Sequence, residues 1–302
     1  MKSAKILVIK LAVLLLIAGV PYLYLVGNRI MSEDTFYWKT TSSADHLIIG
    51  GSRSQKGISP AILSQELELE GHFINLAFTL VNSPYGSYYN YFIKRKLNSV
   101  NRDKTSVFIL EVTSGLMMDF EEERFPRERD FRIYDLFMVN QHPNIEYFIR
   151  NSNARNPTLK ELLQDNPRLE HLGIHRDGWV EYLGQRDTLI PLEDLRVYAR
   201  EFVRSPERED AFIDLVSYLK ARGEVVLVRL PIHPDVAEVE DFRSPFFIPF
   251  IEKIADRQGV HFIDYSGRGE NFEYFDQYHH LTGKSAREFS HLLARDIRSR
   301  VQ

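Results

Sequence analysis

The sequence predicts an α/β fold: a doubly wound, five-stranded parallel sheet of flavodoxin-like type, carrying an inserted subdomain and preceded by one N-terminal transmembrane helix. Three observations lead there. Five short apolar runs rich in β-branched residues recur along the chain, helical patterns separate most of them, and one long apolar stretch opens the sequence. Runs that are apolar at consecutive positions suit strands covered by helices on both faces. Their alternation with helices implies parallel pairing.

Composition sets the outer limits. The chain has 302 residues, 38 Lys+Arg against 42 Asp+Glu, 44% hydrophobic residues and no cysteine. A core of ordinary size needs no disulfide or structural metal at this length. The formal net charge of -4 gives no global attraction to nucleic acid or anionic lipid. The absence of cysteine excludes thiol nucleophiles, Cys-ligated zinc and iron–sulfur clusters.

The opening stretch, Ile6 to Val26, reads ILVIKLAVLLLIAGVPYLYLV and carries one charge, Lys10. About 20 apolar residues cross a bilayer core, and Lys10 lies close enough to the start to snorkel to the interface. Lys2, Lys5 and Lys10 precede or enter the span, whereas Arg29, Glu33 and Asp34 follow it. The positive-inside rule therefore puts the N-terminus in the cytoplasm and everything after about residue 28 in the periplasm or another extracytoplasmic space. A cleaved signal peptide would need a shorter run ending in small residues. Ala18-Gly19-Val20 is followed by PYLYLVG without an A-x-A pattern, so an uncleaved inner-membrane anchor over 1–28 is expected.

A polar stalk is expected over 29–44, and the globular domain over 45–302. The strands are expected at His46 to Gly50, His72 to Leu76, Ser106 to Val112, Val225 to Leu230 and Val260 to Tyr265. Helices are expected from Ser59-Pro60, a cap followed by proline at the first helical position, and then at Tyr85 to Leu97, Pro206 to Arg222, Phe246 to Gln258 and Gly283 to Arg300. The insertion, 113–205, is charged, aromatic and rich in Asn and Pro, with FEEERFPRERDFR its most polar portion. It reads equally as a solvated excursion or as a lid over the sheet edge.

Ligands of open parallel sheets gather at the carboxyl ends of the strands. The first strand ends in IIGGSRSQKGI, where small residues permit a tight turn that presents the Ser52 hydroxyl. Near the other terminus, FEYFDQYHHLTGKSAREFS puts Asp276, His279 and His280 in one short loop before the last helix. A serine becomes nucleophilic when a histidine takes its proton and an acid orients that histidine. Both segments lie at the same sheet edge, which gives the three residue types a topological reason to meet.

GGSR after the first strand, with D-x-x-H-H-L-T-x-x-S-A-x-x-F-S near the C-terminus, resembles the SGNH/GDSL-type hydrolase superfamily. The likeness is nearer to its membrane-anchored bacterial members, DltD-like and alginate-acetylation proteins. It covers the organisation of the α/β core and two short motif segments. The resemblance implies Ser52 as nucleophile, Asp276 as orienting acid and a neighbouring histidine as base. Spacing from the aspartate selects His279, whereas the longer match through Leu281-Thr282 and Ser285-Ala286 favours His280.

The family's second block offers a glycine N–H to the oxyanion, and here Ala77 stands in NLAFTLVNSPYG. Its third block supplies an asparagine in G-x-N-D, and the third strand here ends ILEVTSG. The backbone N–H groups of Ser52 and Ala77 are therefore the expected oxyanion donors, and loss of one such donor can cost about 10²–10³ in rate. Arg53, Arg229 and His233 lie where substrate could be contacted. Asn75 and Asn82 read chiefly as turn or strand-end hydrogen-bonding residues. His142, His171 and His175 lack metal-ligand spacing, so no metal or other cofactor is expected.

The function implied is a single-pass, exported serine esterase or O-acyltransferase acting on an acylated envelope glycan or exported polysaccharide, with a membrane acyl-donor protein as partner in the transferase case. The competing reading is a catalytically silent scaffold of the same fold that binds glycans or an assembly partner.

Overall fold

A computed structural model of the chain describes residues 2–80, 82–98, 106–120, 140–147, 171–184, 202–276 and 278–301. Its elements in chain order are helices α1 (Lys2–Glu33) and α2 (Tyr37–Thr41), strand β1 (His46–Ile49), helices α3 (Ser52–Gly57) and α4 (Pro60–Glu66), β2 (Phe73–Asn75), α5 (Ser87–Lys96) and β3 (Ser106–Glu111). Four short strands follow: β4 (Met118–Phe120), β5 (Leu172–Ile174), β6 (Val180–Tyr182) and β7 (Phe202–Arg204). The chain then forms α6 (Pro206–Lys220), β8 (Gly223–Arg229), α7 (Pro234–Arg243), α8 (Phe247–Gln258), β9 (His261–Asp264) and α9 (Gly283–Val301).

The main sheet has five parallel strands in the order β2-β1-β3-β8-β9. These are the five expected strands, and the order places a topological switch point between β1 and β3. Successive residues of β1 serve opposite faces, as the period of a strand dictates. Leu47 and Ile49 pack with Phe92, Phe212, Leu215 and Ile251 of α5, α6 and α8. Ile48 packs with Leu63 of α4 and Phe289 and Leu293 of α9 on the other face. Tyr85, Tyr88, Tyr89 and Phe92 of the aromatic-rich segment are buried in the first of these layers.

Helix α1 is apolar enough to cross a membrane over Ala4–Glu33, with a mean hydropathy of 2.5 in its most apolar window. The expected stalk is folded. α1 continues to Glu33, all five residues of α2 are buried, and Ile30, Tyr37, Trp38 and Tyr147 form an apolar cluster with Val26 and Met31 packed against it. Two contacts tie this region to the segment that follows β2: Phe36 stacks on Phe78 at 5.2 Å between ring centroids, and the Lys39 ammonium donates to the Ala77 carbonyl.

The ends of the insertion are held by antiparallel pairing of β4 with β7, and β5 pairs with β6 as a hairpin. Residues 121–132, most of its polar portion, lie outside the described residues. Helices α3 and α7 were not expected. Each is short and follows a strand that ends on turn-forming residues, Gly-Gly in one case and Pro-Ile-His-Pro in the other.

Candidate active site

The site begins with the turn out of β1. Gly50 has φ +154°, and a Cβ there would lie 2.4 Å from Cβ of Glu111 and 2.5 Å from Oγ of Ser54, so only glycine fits. Glu111, the last residue of β3, holds the turn from below. Its Oε2 accepts the N–H groups of Gly51 and Ser54, each at 2.9 Å, and the Ser54 hydroxyl at 2.5 Å. The Ser83 hydroxyl donates to the Gly50 carbonyl at 2.7 Å. Burial raises the Glu111 carboxyl above its ordinary value, opposed by the Ser54 hydroxyl, the Arg53 charge and the two N–H donors. Ser52 is consequently fixed as the first residue of α3, at the switch point of the sheet.

The loop before α9 brings the other groups. Tyr274 bridges to Leu281, and the Phe275 N–H donates to the His280 carbonyl at 2.7 Å, closing a tight excursion. Inside it, Asp276 Oδ1 accepts the N–H groups of His279 at 3.0 Å and His280 at 2.9 Å. Asp276 Oδ2 meets His280 Nδ1, and His280 Nε2 lies 2.8 Å from Ser52 Oγ. A carboxylate on Nδ1 puts the imidazole proton there and leaves the Nε2 lone pair to accept from the serine hydroxyl.

The electrostatics favour a neutral base. The His280 pKa is brought down to about 4, chiefly by burial, with Lys56 and Arg53 acting in the same sense and Asp276 in the opposite one. Burial alone would raise the Asp276 carboxyl, but the His280 ring and the two N–H donors hold it below the usual carboxylate range. His279, lowered by burial and by Arg53 to about 3, belongs to a different network. Arg53 donates to its Nδ1 at 3.0 Å and forms a salt bridge with Glu240 at 2.6 Å. Burial raises and Arg53 lowers the Glu240 carboxyl, and the net direction is down.

Ser52, His280 and Asp276 thus come together, and His279 and Arg53 lie beside them. Three other expectations meet a different arrangement. The Ala77 N–H points at Asn75 Oδ1 at 3.2 Å, while the Ala77 carbonyl takes Lys39, so this peptide is committed within the fold and is not an open oxyanion donor. Arg229 is buried and spends its guanidinium on Asp241 at 2.7 Å and Asp264 at 3.5 Å, with Glu240 at 3.8 Å, so it is a structural cation, not a substrate contact. His233 caps α7, its Nδ1 accepting the Asp235 N–H at 3.3 Å, and its ring lies edge-on to Tyr278.

Asn75 donates to the carbonyls of Ser54 and Ile58, and Asn82 Oδ1 accepts from the Thr79 hydroxyl at 2.5 Å. His142, His171 and His175 are separately engaged, by the Tyr37 hydroxyl, the Phe275 ring and Glu181 respectively. Among the described residues no group of His, Asp or Glu side chains has the geometry to hold a metal ion.

Two groups near the serine were missed in the sequence. Glu111 had a signal, a carboxylate interrupting the apolar run SVFILEV. Lys56 had one too, since it lies four positions after Ser52 on α3 and so shares its face of the helix.

No family model and no curated protein matches the chain. Solved structures do resemble it. Est24, a carbohydrate acetylesterase from Sinorhizobium meliloti, aligns at 10% identity and a TM-score of 0.40, over 84% of this chain and 98% of that one. The M. smegmatis aryl esterase aligns at 12% identity and 0.39, over 84% and 98%. The acetyl xylan esterase Est2A from Butyrivibrio proteoclasticus aligns at 12% identity and 0.35, over 86% and 64%.

Proposed function

We propose that the protein is a membrane-anchored, exported serine esterase or O-acyltransferase of SGNH type, acting on an acylated cell-envelope or exported polysaccharide. The observation that carries this reading is the 2.8 Å approach of Ser52 Oγ to His280 Nε2, with Asp276 on the opposite ring nitrogen. In this reading His280 takes the Ser52 proton as the serine oxygen attacks the ester carbonyl. The ester C–O bond then breaks, the imidazolium returns the proton to the leaving alkoxide, and an acyl-serine remains. Water or a sugar hydroxyl, deprotonated by the same histidine, releases the acyl group. In this reading the Ser52 N–H, at the start of α3, serves as a backbone donor to the oxyanion. The apolar helix and the lysines at its start support an inner-membrane anchor with the domain outside. The glycan substrate rests on the family resemblance.

The scaffold reading draws on one observation, the commitment of the Ala77 N–H to Asn75. Acetate release from p-nitrophenyl acetate and acetylated oligosaccharides by the full chain in detergent separates the two. The enzyme reading expects turnover that Ser52→Ala abolishes. Folded wild type without turnover, or turnover that survives Ser52→Ala, would favour the scaffold.

A further inference from the structure

Attack on an ester leaves an anion on its carbonyl oxygen. The Ser52 N–H is one donor for it, since the first N–H of α3 has no acceptor within the helix. The Ala77 N–H, committed to Asn75 Oδ1, is not a second. On the other side of β1 lies β3, paired so that Ile49 faces Leu110. Counting on from that pair sets Gly50 against Glu111, where the two residues do meet, and brings Ser52 level with Thr113.

Thr113 keeps an extended backbone, φ -145° and ψ 144°, so the alternation of β3 runs on to it. Ile109 shares an apolar cluster with Ile58, the residue that follows α3, and the Glu111 carboxylate accepts the Ser54 N–H and hydroxyl. Thr113 is the next residue on that face. Its Oγ1 meets the side chain that follows the serine: Arg53 Nη1 lies 3.4 Å away. An arginine only donates, so Oγ1 accepts there and directs its own proton elsewhere. Among the described residues no acceptor takes that proton, although Thr113 is buried. A buried hydroxyl that keeps its donor unused is costly, and an arriving oxyanion would satisfy it.

Arg53 is itself committed. Its Nη2 donates to Glu240 at 2.6 Å and to His279 Nδ1 at 3.0 Å, and its Nη1 is shared between Thr113 and Glu240, the latter at 3.3 Å. What the guanidinium offers the serine is therefore indirect. By donating to Thr113 Oγ1 it polarises the O–H bond towards the next acceptor.

We propose that the Thr113 hydroxyl is the side-chain donor of the oxyanion hole, working with the Ser52 N–H, and that Arg53 is the positioning residue that orients it. The inference rests on the esterase or transferase reading and adds a catalytic residue to it. As Ser52 Oγ bonds to the carbonyl carbon, its proton passes to His280 Nε2 and the carbonyl π pair moves onto the oxygen. The Thr113 O–H and Ser52 N–H donate to that oxygen. The pair then re-forms the carbonyl, the C–O bond to the alcohol breaks, and the His280 proton goes to the leaving alkoxide.

The test compares the full chain in detergent with Thr113→Val, close in shape but without the hydroxyl, Thr113→Ala, which introduces no bulk, and Thr113→Ser, which restores the donor. Hydrolysis of p-nitrophenyl acetate gives kcat/KM. NMR titrations give the affinities of phenyl trifluoromethyl ketone, which adds Ser52 to form a hemiketal oxyanion, and of acetophenone, an unactivated ketone of similar shape. Thr113→Val and Thr113→Ala should lower kcat/KM by about 10²–10³-fold and weaken the trifluoromethyl ketone by a similar factor, with acetophenone binding unchanged. Thr113→Ser should recover both to within about tenfold. Wild-type turnover and hemiketal formation in Thr113→Val and Thr113→Ala would overturn the inference and leave the Ser52 chemistry standing. Equal losses for the two ketones, or a Thr113→Ser no better than Thr113→Val, would also overturn it by marking the residue as structural. A folded wild type that neither cleaves the ester nor forms the hemiketal would remove the enzymatic reading, and the inference with it.

Discussion

His279 and His280 are adjacent in sequence and opposite in assignment: Arg53 donates to His279 Nδ1 at 3.0 Å, whereas His280 turns its Nδ1 to Asp276 and its Nε2 to Ser52. An arginine can only donate, so neutral His279 carries its proton on Nε2 and faces a guanidinium. The proposed reaction therefore uses one histidine of the pair.

His280→Ala should lower esterase activity by about 10³-fold or more, in line with loss of a triad member. His279→Ala should leave activity within about tenfold, since its ring touches Arg53 and not the serine. Steady-state hydrolysis of an activated ester measures both. Equal losses would assign the base wrongly.

The pH dependence follows from the direction of the His280 shift. Only neutral imidazole can accept the serine proton, so activity should fall as pH drops through about 4 and stay level from there to neutrality. Lys56→Met removes a neighbouring positive charge and should move the acidic limb upward. A profile of kcat/KM against pH for the two proteins checks the sign, and a downward move would show that Lys56 does not act on His280.

Glu111→Ala would strand the N–H groups of Gly51 and Ser54 in a buried site and leave the Ser54 hydroxyl only the Gly51 carbonyl at 3.2 Å. Each buried unpaired donor costs about 1–3 kcal/mol, so a large loss of stability is expected, with Glu111→Gln recovering part of it. Denaturant unfolding of the full chain in detergent gives the comparison.

Gly50→Ala places a methyl group against the Glu111 and Ser54 side chains. The turn must then open, and both stability and Ser52 reactivity should drop together. Retention of full activity would mean that the turn out of β1 is not what aims the serine.

The strands were legible because burial on both faces leaves continuous apolar runs, and IIGGS and DQYHH were legible because small and titratable residues interrupt those runs. What was not legible depends on contacts far apart in the chain. The 29–44 segment is polar enough to read as a stalk, yet Lys39 and Thr40 bury by hydrogen bonding to carbonyl groups. Arg229 looks like a substrate contact until Asp241 and Asp264 are seen to satisfy it. The base could not be fixed by spacing alone, since the i to i+4 reach to His280 depends on how the loop closes at Phe275 and His280.

Labelling of Ser52 by a fluorophosphonate probe is the most direct measurement of the proposed chemistry. The full chain in detergent should become covalently modified on the peptide containing Ser52, and His280→Ala should abolish that modification while the protein remains folded. A folded wild type that resists labelling under conditions that modify a control esterase, or labelling that persists unchanged in His280→Ala, would contradict a histidine-activated serine.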